Sequence, residues 1–241
     1  MEVSGFRLQG SFDHRGYLYA ARDGLLDDYT LEIFQHSVRR GATVVDVGAN
    51  LGLFTLVAAR AAGPTGQVVA FEPEENTCTY LLKNIHANGV EKVATVRQTA
   101  LSDSAGKRSF ARHGADPSQS GFVARALEDS ISDVTVERGD ETLRHLSGID
   151  VLKIDVEGAE PEVLRGLAET IDRSPRVTVV CEINPSALDR CGHSTSELLE
   201  TLVDLAFDVS VIDEPQRRLV PIAGTDGFFD PYANLFCTKR R

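Results

Sequence analysis

Thr43-Val44-Val45-Asp46-Val47-Gly48-Ala49-Asn50-Leu51-Gly52 is the stretch around which the fold can be read. It begins as a short apolar run of the length a buried parallel strand uses, breaks at Gly48, and passes into residues 51–60, which carry helical spacing. Strand, glycine turn and helix open a nucleotide site. In open α/β sheets, ligands settle outside the carboxyl ends of the strands, where the positive end of the next helix is also presented.

Outward from that stretch, apolar strands alternate with helical patterns. Leu31, Phe34 and Val38 predict a helix that delivers the chain into the opening strand and stops at Arg39-Arg40-Gly41. After the turn Gly63-Pro64-Thr65-Gly66 come a second strand at 67–71, a helix at 74–88 and a third strand at 93–98. A fourth strand is predicted at 148–155, a helix at 161–171, a fifth strand at 177–183, a helix at 196–205, a sixth strand at 207–212 and a seventh at 235–238. This alternation predicts an α/β fold with a doubly wound, mostly parallel sheet. Residues 1–30 are expected to form an N-terminal arm, with a hairpin or extended piece among Phe6, Phe12, Tyr17 and Tyr19, and residues 31–241 the main domain. Between Leu101 and Leu143, glycines and Pro117 interrupt short alternating pieces, and Ser118-Gln119-Ser120 reads as loop. Substrate-specific structure is expected in this inserted loop and hairpin region.

Composition narrows the function classes. The 241 residues are 42% hydrophobic and 25% charged, ordinary for a globular chain. A formal charge of −11 argues against a nucleic-acid surface, because phosphate binding relies on Lys and Arg that release counterions. Cys78, Cys181, Cys191 and Cys237 show no paired spacing and are expected as free thiols in a reducing cytoplasm. No signal peptide is visible at the N-terminus, and no run approaches the ~20 apolar residues of a membrane helix. A small-molecule acceptor is the expected partner, and a homodimer is compatible with the sequence.

A dinucleotide fingerprint would read G-x-G-x-x-G, but the corresponding positions here are Gly48, Asn50 and Leu53. Asn50 can adopt a left-handed conformation, yet its side chain occupies room that a pyrophosphate needs. The turn suits a ligand whose amino-acid part lies along it. Asp46 could then accept hydrogen bonds from an ammonium group, directly or through water, unless it is only a turn residue. Glu72, 24 residues after Gly48, stands where an acid accepts from ribose hydroxyls, although an acid at a helix start is also favoured by the dipole alone. NAD and S-adenosylmethionine share that ribose, so Glu72 alone does not separate them.

The second constellation is residues 150–160, Asp-Val-Leu-Lys-Ile-Asp-Val-Glu-Gly-Ala-Glu. Its acids Asp155, Glu157 and Glu160 crowd the strand end and repel one another unless they face a cation, a metal or a donor. Part of that charge compensates a helix N-terminus, Glu160 above all. If the opening and fourth strands are neighbours, Asp155 should lie next to Asp46.

These blocks, residues 46–52, Phe71-Glu72-Pro73 and 152–160, resemble in order the signature of the FkbM family of S-adenosylmethionine-dependent methyltransferases, and the resemblance spans about 30 to 185. It implies a class I fold, a seven-stranded sheet of order 3-2-1-4-5-7-6, and methylation, usually of a hydroxyl, on a natural product, sugar or glycolipid precursor. The cofactor-binding residues it implies are Asp46, Gly48, Asn50, Gly52, Thr55, Glu72, Pro73, Ala100, Leu101 and Asp155, with residues 99–102 bordering the adenine. Gly139-Asp140 departs from the family pattern before the fourth strand.

A hydroxyl acceptor must lose a proton, and the candidate catalytic groups are Asp155, Glu182 and His193. Asp155, Glu182 and Asn184 also offer oxygen ligands to Mg²⁺, although no metal is expected. The rival readings are N- or carboxyl-methylation of a small metabolite, an NAD-dependent oxidoreductase, and a regulatory protein that binds S-adenosylmethionine without turnover.

Overall fold

A computed structural model describes residues 1–24, 27–111, 121–122, 131–222 and 232–240. The expected loop Ser118-Gln119-Ser120 lies outside these residues. The chain opens with a hairpin, β1 (Glu2–Val3) and β2 (Phe6–Arg7), followed by α1 (Arg15–Arg22) and α2 (Asp28–Ser37). Then come β3 (Thr43–Val47), α3 (Leu53–Ala62), β4 (Gln67–Phe71), α4 (Glu75–Ala87) and β5 (Ala94–Arg97). The inserted region holds β6 (Ala100–Ser102), β7 (Gly106–Ala111), β8 (Gly121–Phe122) and β9 (Ile131–Arg138), and α5 (Gly139–Thr142) leads on. The remainder is β10 (Val151–Ile154), α6 (Glu160–Gly166), α7 (Ala168–Asp172), β11 (Thr178–Ile183), α8 (Pro185–Cys191), α9 (Thr195–Asp204), β12 (Phe207–Asp213), β13 (Arg218–Pro221) and β14 (Ala233–Lys239).

The central sheet runs β13-β12-β14-β11-β10-β3-β4-β5. From β5 to β12 this is the expected seven-strand order, and β13 adds an eighth strand at the edge. The pairs among β5, β4, β3, β10 and β11 are parallel, whereas β14 lies antiparallel to both of its neighbours. Val45 and Val47 pack into one core with Leu152 and Ile154, while Val44 joins the opposite core with Val68 and Val151. Strands covered on both faces carry near-continuous apolar runs, and for that reason β3 is legible as a buried strand.

Five features depart from the sequence expectation. The inserted region is a second, four-stranded sheet of order β6-β9-β7-β8, in which Ala100 and Leu101 belong to β6. The helix expected at 161–171 is two helices, broken after Gly166, where a Cβ would lie 2.0 Å from the Ser102 carbonyl oxygen; that close approach ties α6 to β6. Helix α8 and strand β13 are additional. So is α1, in the segment expected to be a hairpin or extended arm.

The N-terminal segment is docked by two asparagines one turn apart on α4. Asn84 Oδ1 accepts from Gln9 N at 2.8 Å and its Nδ2 donates to Gln9 O at 2.9 Å; Asn88 does the same for Arg7 at 2.9 and 2.8 Å. Two side-chain amides thus offer alternate residues the donors and acceptors that a neighbouring strand would. Among the described residues, no helix is long and apolar enough to cross a membrane.

Candidate active site

The site is built at the carboxyl ends of β3, β4, β10 and β11. At the end of β3 the chain turns at Gly48, whose φ is +79°, and a Cβ there would lie 1.8 Å from the Asp155 carbonyl oxygen. Only glycine lets the segment after β10 cross so closely. Gly48 N and Ala49 N donate to Phe71 O at 3.0 and 2.9 Å, and Asn50 N donates to Glu72 Oε2 at 2.9 Å. Asn50 takes the left-handed conformation, φ +50°, with its own Oδ1 accepting from Leu51 N. The turn therefore spends on β4 the N–H groups that would cradle a pyrophosphate, which counts against the NAD reading.

Glu72 is 6% exposed and accepts from Asn50 N and Glu74 N, both at 2.9 Å. Burial pushes its carboxyl up to about 7 despite those two donors. Each oxygen keeps a further lone pair toward the cavity. Glu72 is thus the clamp between two turns and lines the cavity beside them.

A cavity of about 280 Å³ opens beside this turn. Gly48, Asn50, Glu72, Pro73, Ala100 and Leu101 line it, as do Asp155 and Glu182. These are the expected residues that the fold brings together. Asp46, Gly52, Thr55 and His193 are not among its lining residues.

Each of those four has a different employment. Asp46 is fully buried below the floor, where Oδ2 accepts from Thr55 Oγ1 at 2.6 Å and Oδ1 faces Lys153 Nζ at 3.9 Å. Its register partner on β10 is Lys153, not Asp155. Burial raises the Asp46 carboxyl above the ordinary carboxylate range, and Lys153 opposes that shift. Asp46, expected to accept from an ammonium group directly or through water, pairs one oxygen with Thr55 and has no hydrogen bond to Oδ1 among the described residues. Gly52 turns the chain into α3. His193 lies between two carboxylates, with Nδ1 3.0 Å from Glu197 and Nε2 3.2 Å from Glu162, and this separates it from the cavity chemistry.

The acidic face is preorganised. One oxygen each of Asp155, Glu157 and Glu182 lie within 4.8 Å of one another. Lys153, 5% exposed, donates to Asp155 Oδ2 at 3.1 Å and stands 4.7 Å over the Phe54 ring. Burial disfavours its charge, but Asp155 and Asp46 outweigh that and hold its pKa above the ordinary lysine value. Glu182 Oε2 is buried without a hydrogen-bond partner among the described residues, and burial together with Asp155 and Glu157 raises its carboxyl well above the usual range. Glu160 does not join this face: Oε1 accepts from Val156 N and Gly158 N at 3.1 Å, bracing the loop from inside. Asn184, considered above as a metal ligand, uses Oδ1 to cap α8 through Ala187 N at 3.1 Å.

Sequence reasoning passed over Lys153, Phe54, Tyr17, Asp27 and Tyr232, all of which line the cavity. Lys153 was legible as the one cation in an apolar strand. The others meet the site only through the fold.

The sheet order and this cavity define a class I S-adenosylmethionine-dependent methyltransferase. The whole chain follows that fold: a precorrin-6y C5,15-methyltransferase from Geobacter metallireducens superposes with a TM-score of 0.56 at 14% identity, covering 99% of this chain and 97% of that one. The O-methyltransferase TomG from Streptomyces achromogenes gives 0.52 at 13% identity, covering 96% and 91%. Residues 46–209 match the methyltransferase FkbM domain, and the chain belongs to the FkbM methyltransferase family. Its cofactor is S-adenosylmethionine. Methyltransferase sdnD from Sordaria araneosa is 29% identical over 198 residues, 69% of this chain and 74% of that protein. The AMB antimetabolite synthetase AmbE from Pseudomonas aeruginosa is 29% identical over 228 residues, and the chain spans 10% of its length.

Proposed function

We propose that the chain methylates a hydroxyl of a small natural-product, sugar or glycolipid precursor, with Glu182 as general base and Asp155 beside it orienting the acceptor. The observation that carries this reading is the Glu182 carboxyl, which faces the cavity next to Asp155 with an oxygen that has no hydrogen-bond partner among the described residues. S-adenosylmethionine supplies, when bound, an electrophilic methyl group for in-line displacement. Glu72 would accept from its ribose, Ala100 and Leu101 would border its adenine, and Gly48, Asn50 and Pro73 would shape the wall between. Asp46, Thr55 and Gly52 support that wall from behind.

A carboxylate with raised proton affinity is the stronger base once ionised, so the acceptor hydroxyl delivers its proton to Glu182. Lys153 offsets the charge of Asp155 and lets two carboxyls share one wall. An anionic acceptor is repelled by the same wall, which weighs against carboxyl methylation. An amine acceptor is the second reading, favoured because three carboxylates would hold its ammonium form. No metal is called for, and enzyme treated with EDTA should keep its activity in a transfer assay.

TomG is involved in tomaymycin synthesis, and its likeness to this chain supports a natural-product acceptor here as an analogy of fold. We further take residues 1–30 as an arm on a methyltransferase unit of 31–241. A cytoplasmic setting is supported by Cys78, Cys181 and Cys237, which are free thiols. Labelled S-adenosylmethionine incubated with a panel of hydroxyl, amine and carboxylate acceptors tests the reading. Transfer to hydroxyls supports it, and binding without transfer to any acceptor supports the regulatory alternative.

A further inference from the structure

Helix α1 presents Arg15, Tyr19 and Arg22 to solvent and turns Ala21 into the core, with Leu18 packed beside it. Tyr17, on the inward side, lines the same cavity as Gly48 and Asn50. Tyr17 is half-buried and its hydroxyl makes no hydrogen bond among the described residues; desolvation, more than the nearby Asp155 and Asp46, moves its pKa upward against Lys153. The groups it senses stand at or near the ends of β3 and β10. Glu72, the charged group at the ribose side, is not among them. A cavity-lining phenol with unspent hydrogen-bonding capacity is paired when a ligand arrives.

The helix that carries it is held at its ends and loose between them. Upstream, His14 Nε2 meets Thr77 Oγ1 at 3.1 Å, and Asn84 and Asn88 fix the chain before it. Downstream, Asp27 accepts from Asn234 Nδ2 at 2.9 Å and from the Tyr232 hydroxyl at 3.2 Å. Within α1, the side-chain hydrogen bonds reach only Phe12 and Asp23, so none ties the helix to the sheet among the described residues. A helix with such thin attachment gains order from whatever fills the cavity.

We propose that Tyr17 is a cofactor-positioning residue, and that α1 becomes ordered over the methionine half of S-adenosylmethionine when the cofactor binds. The inference rests on the cofactor assignment. The ring offers its face to a cationic group and the hydroxyl offers a donor and an acceptor, a combination suited to the charged sulfur and amino-acid end of this ligand. The arm is then part of the site, not a tether.

S-adenosylhomocysteine serves as the probe, so no acceptor is needed. Calorimetry compares wild type with Tyr17→Ala, Tyr17→Phe and the solvent-side control Tyr19→Ala, and hydrogen exchange follows residues 15–22 of the wild type with and without the ligand. Expected are a loss of about tenfold or more in affinity for Tyr17→Ala, about threefold for Tyr17→Phe, no change for Tyr19→Ala, and slower exchange across α1 in the complex. Wild-type binding with Tyr17→Ala unchanged, or with no protection of α1, overturns this inference alone. No wild-type binding overturns the cofactor assignment and this inference with it.

Discussion

At the scale of single residues, Glu72 links cofactor affinity to pH. Its carboxyl is pushed up to about 7 by burial, and only the ionised form is a full acceptor for ribose hydroxyls. Binding should therefore weaken by about tenfold per pH unit below 7 and level off above it. Calorimetry with S-adenosylhomocysteine from pH 5.5 to 8 checks this, and Glu72→Gln should flatten the profile while Glu72→Ala lowers affinity more than about tenfold. Glu160, also pushed up to about 7 by burial, affects stability with the opposite sense. Its folded pKa lies above the unfolded value near 4.5, so the folded state binds the extra proton between these values and stability falls as pH rises through that window. Relative to wild type, Glu160→Gln should gain on the order of 1–3 kcal/mol between pH 5 and 8 in denaturant unfolding. The base assignment has its own signature: activity should rise with pH through the elevated Glu182 value, and Glu182→Gln should lose that rise along with about 10²–10⁴ in rate.

At the scale of elements, helix α2 is capped from far away in sequence. Tyr29 N and Thr30 N donate to the Glu214 carboxylate at 2.9 and 2.8 Å, and the Thr30 hydroxyl joins them at 2.5 Å. An N-terminal cap contributes about 1–2 kcal/mol, so Glu214→Ala should lower the urea midpoint by that amount with little change in slope. Nothing in the local sequence of α2 announces this cap, because its acid arrives from the turn after β12. The same logic separates the legible elements from the others. Strands β3, β4, β10 and β11 are apolar on both faces and bounded by glycine, proline or acids, so composition alone places them. Strand β13 is exposed along all four residues and is held only by pairing with β12, leaving no pattern to read. Helix α1 turns too few apolar residues inward for helical spacing to register. Helix α8 did carry a signal in Asn184-Pro185, a cap followed by a first-turn proline.

At the scale of the whole molecule, a carboxylate on α6 braces the second sheet against the main domain, in addition to the ion pair of Arg97 on β5 with Glu137 on β9. Glu162 on α6 accepts from Ser102 Oγ at 2.7 Å and from Arg108 Nη2 at 3.0 Å, and His193 Nε2 lies 3.2 Å away. Burial opposes its charge, yet Arg108, Ser102 and His193 hold its pKa below the ordinary glutamate value. That contribution is present above about pH 4.5 and is lost as pH falls through the lowered value. Residues 102, 108, 162 and 193 share no local motif, so His193 reads from sequence as a candidate base, and only the fold shows it set between Glu162 and Glu197. The brace sits next to β6, whose Ala100 and Leu101 line the cofactor cavity. Glu162→Ala should therefore loosen the second sheet before the first. Hydrogen exchange should quicken across β7 and β9 while β3 and β10 keep their protection, and affinity for S-adenosylhomocysteine should fall by about threefold to tenfold as the adenine wall loses its brace. If all strands quicken together, the two sheets open as a single cooperative unit, and the Glu162 junction is a part of one core and not a separable joint.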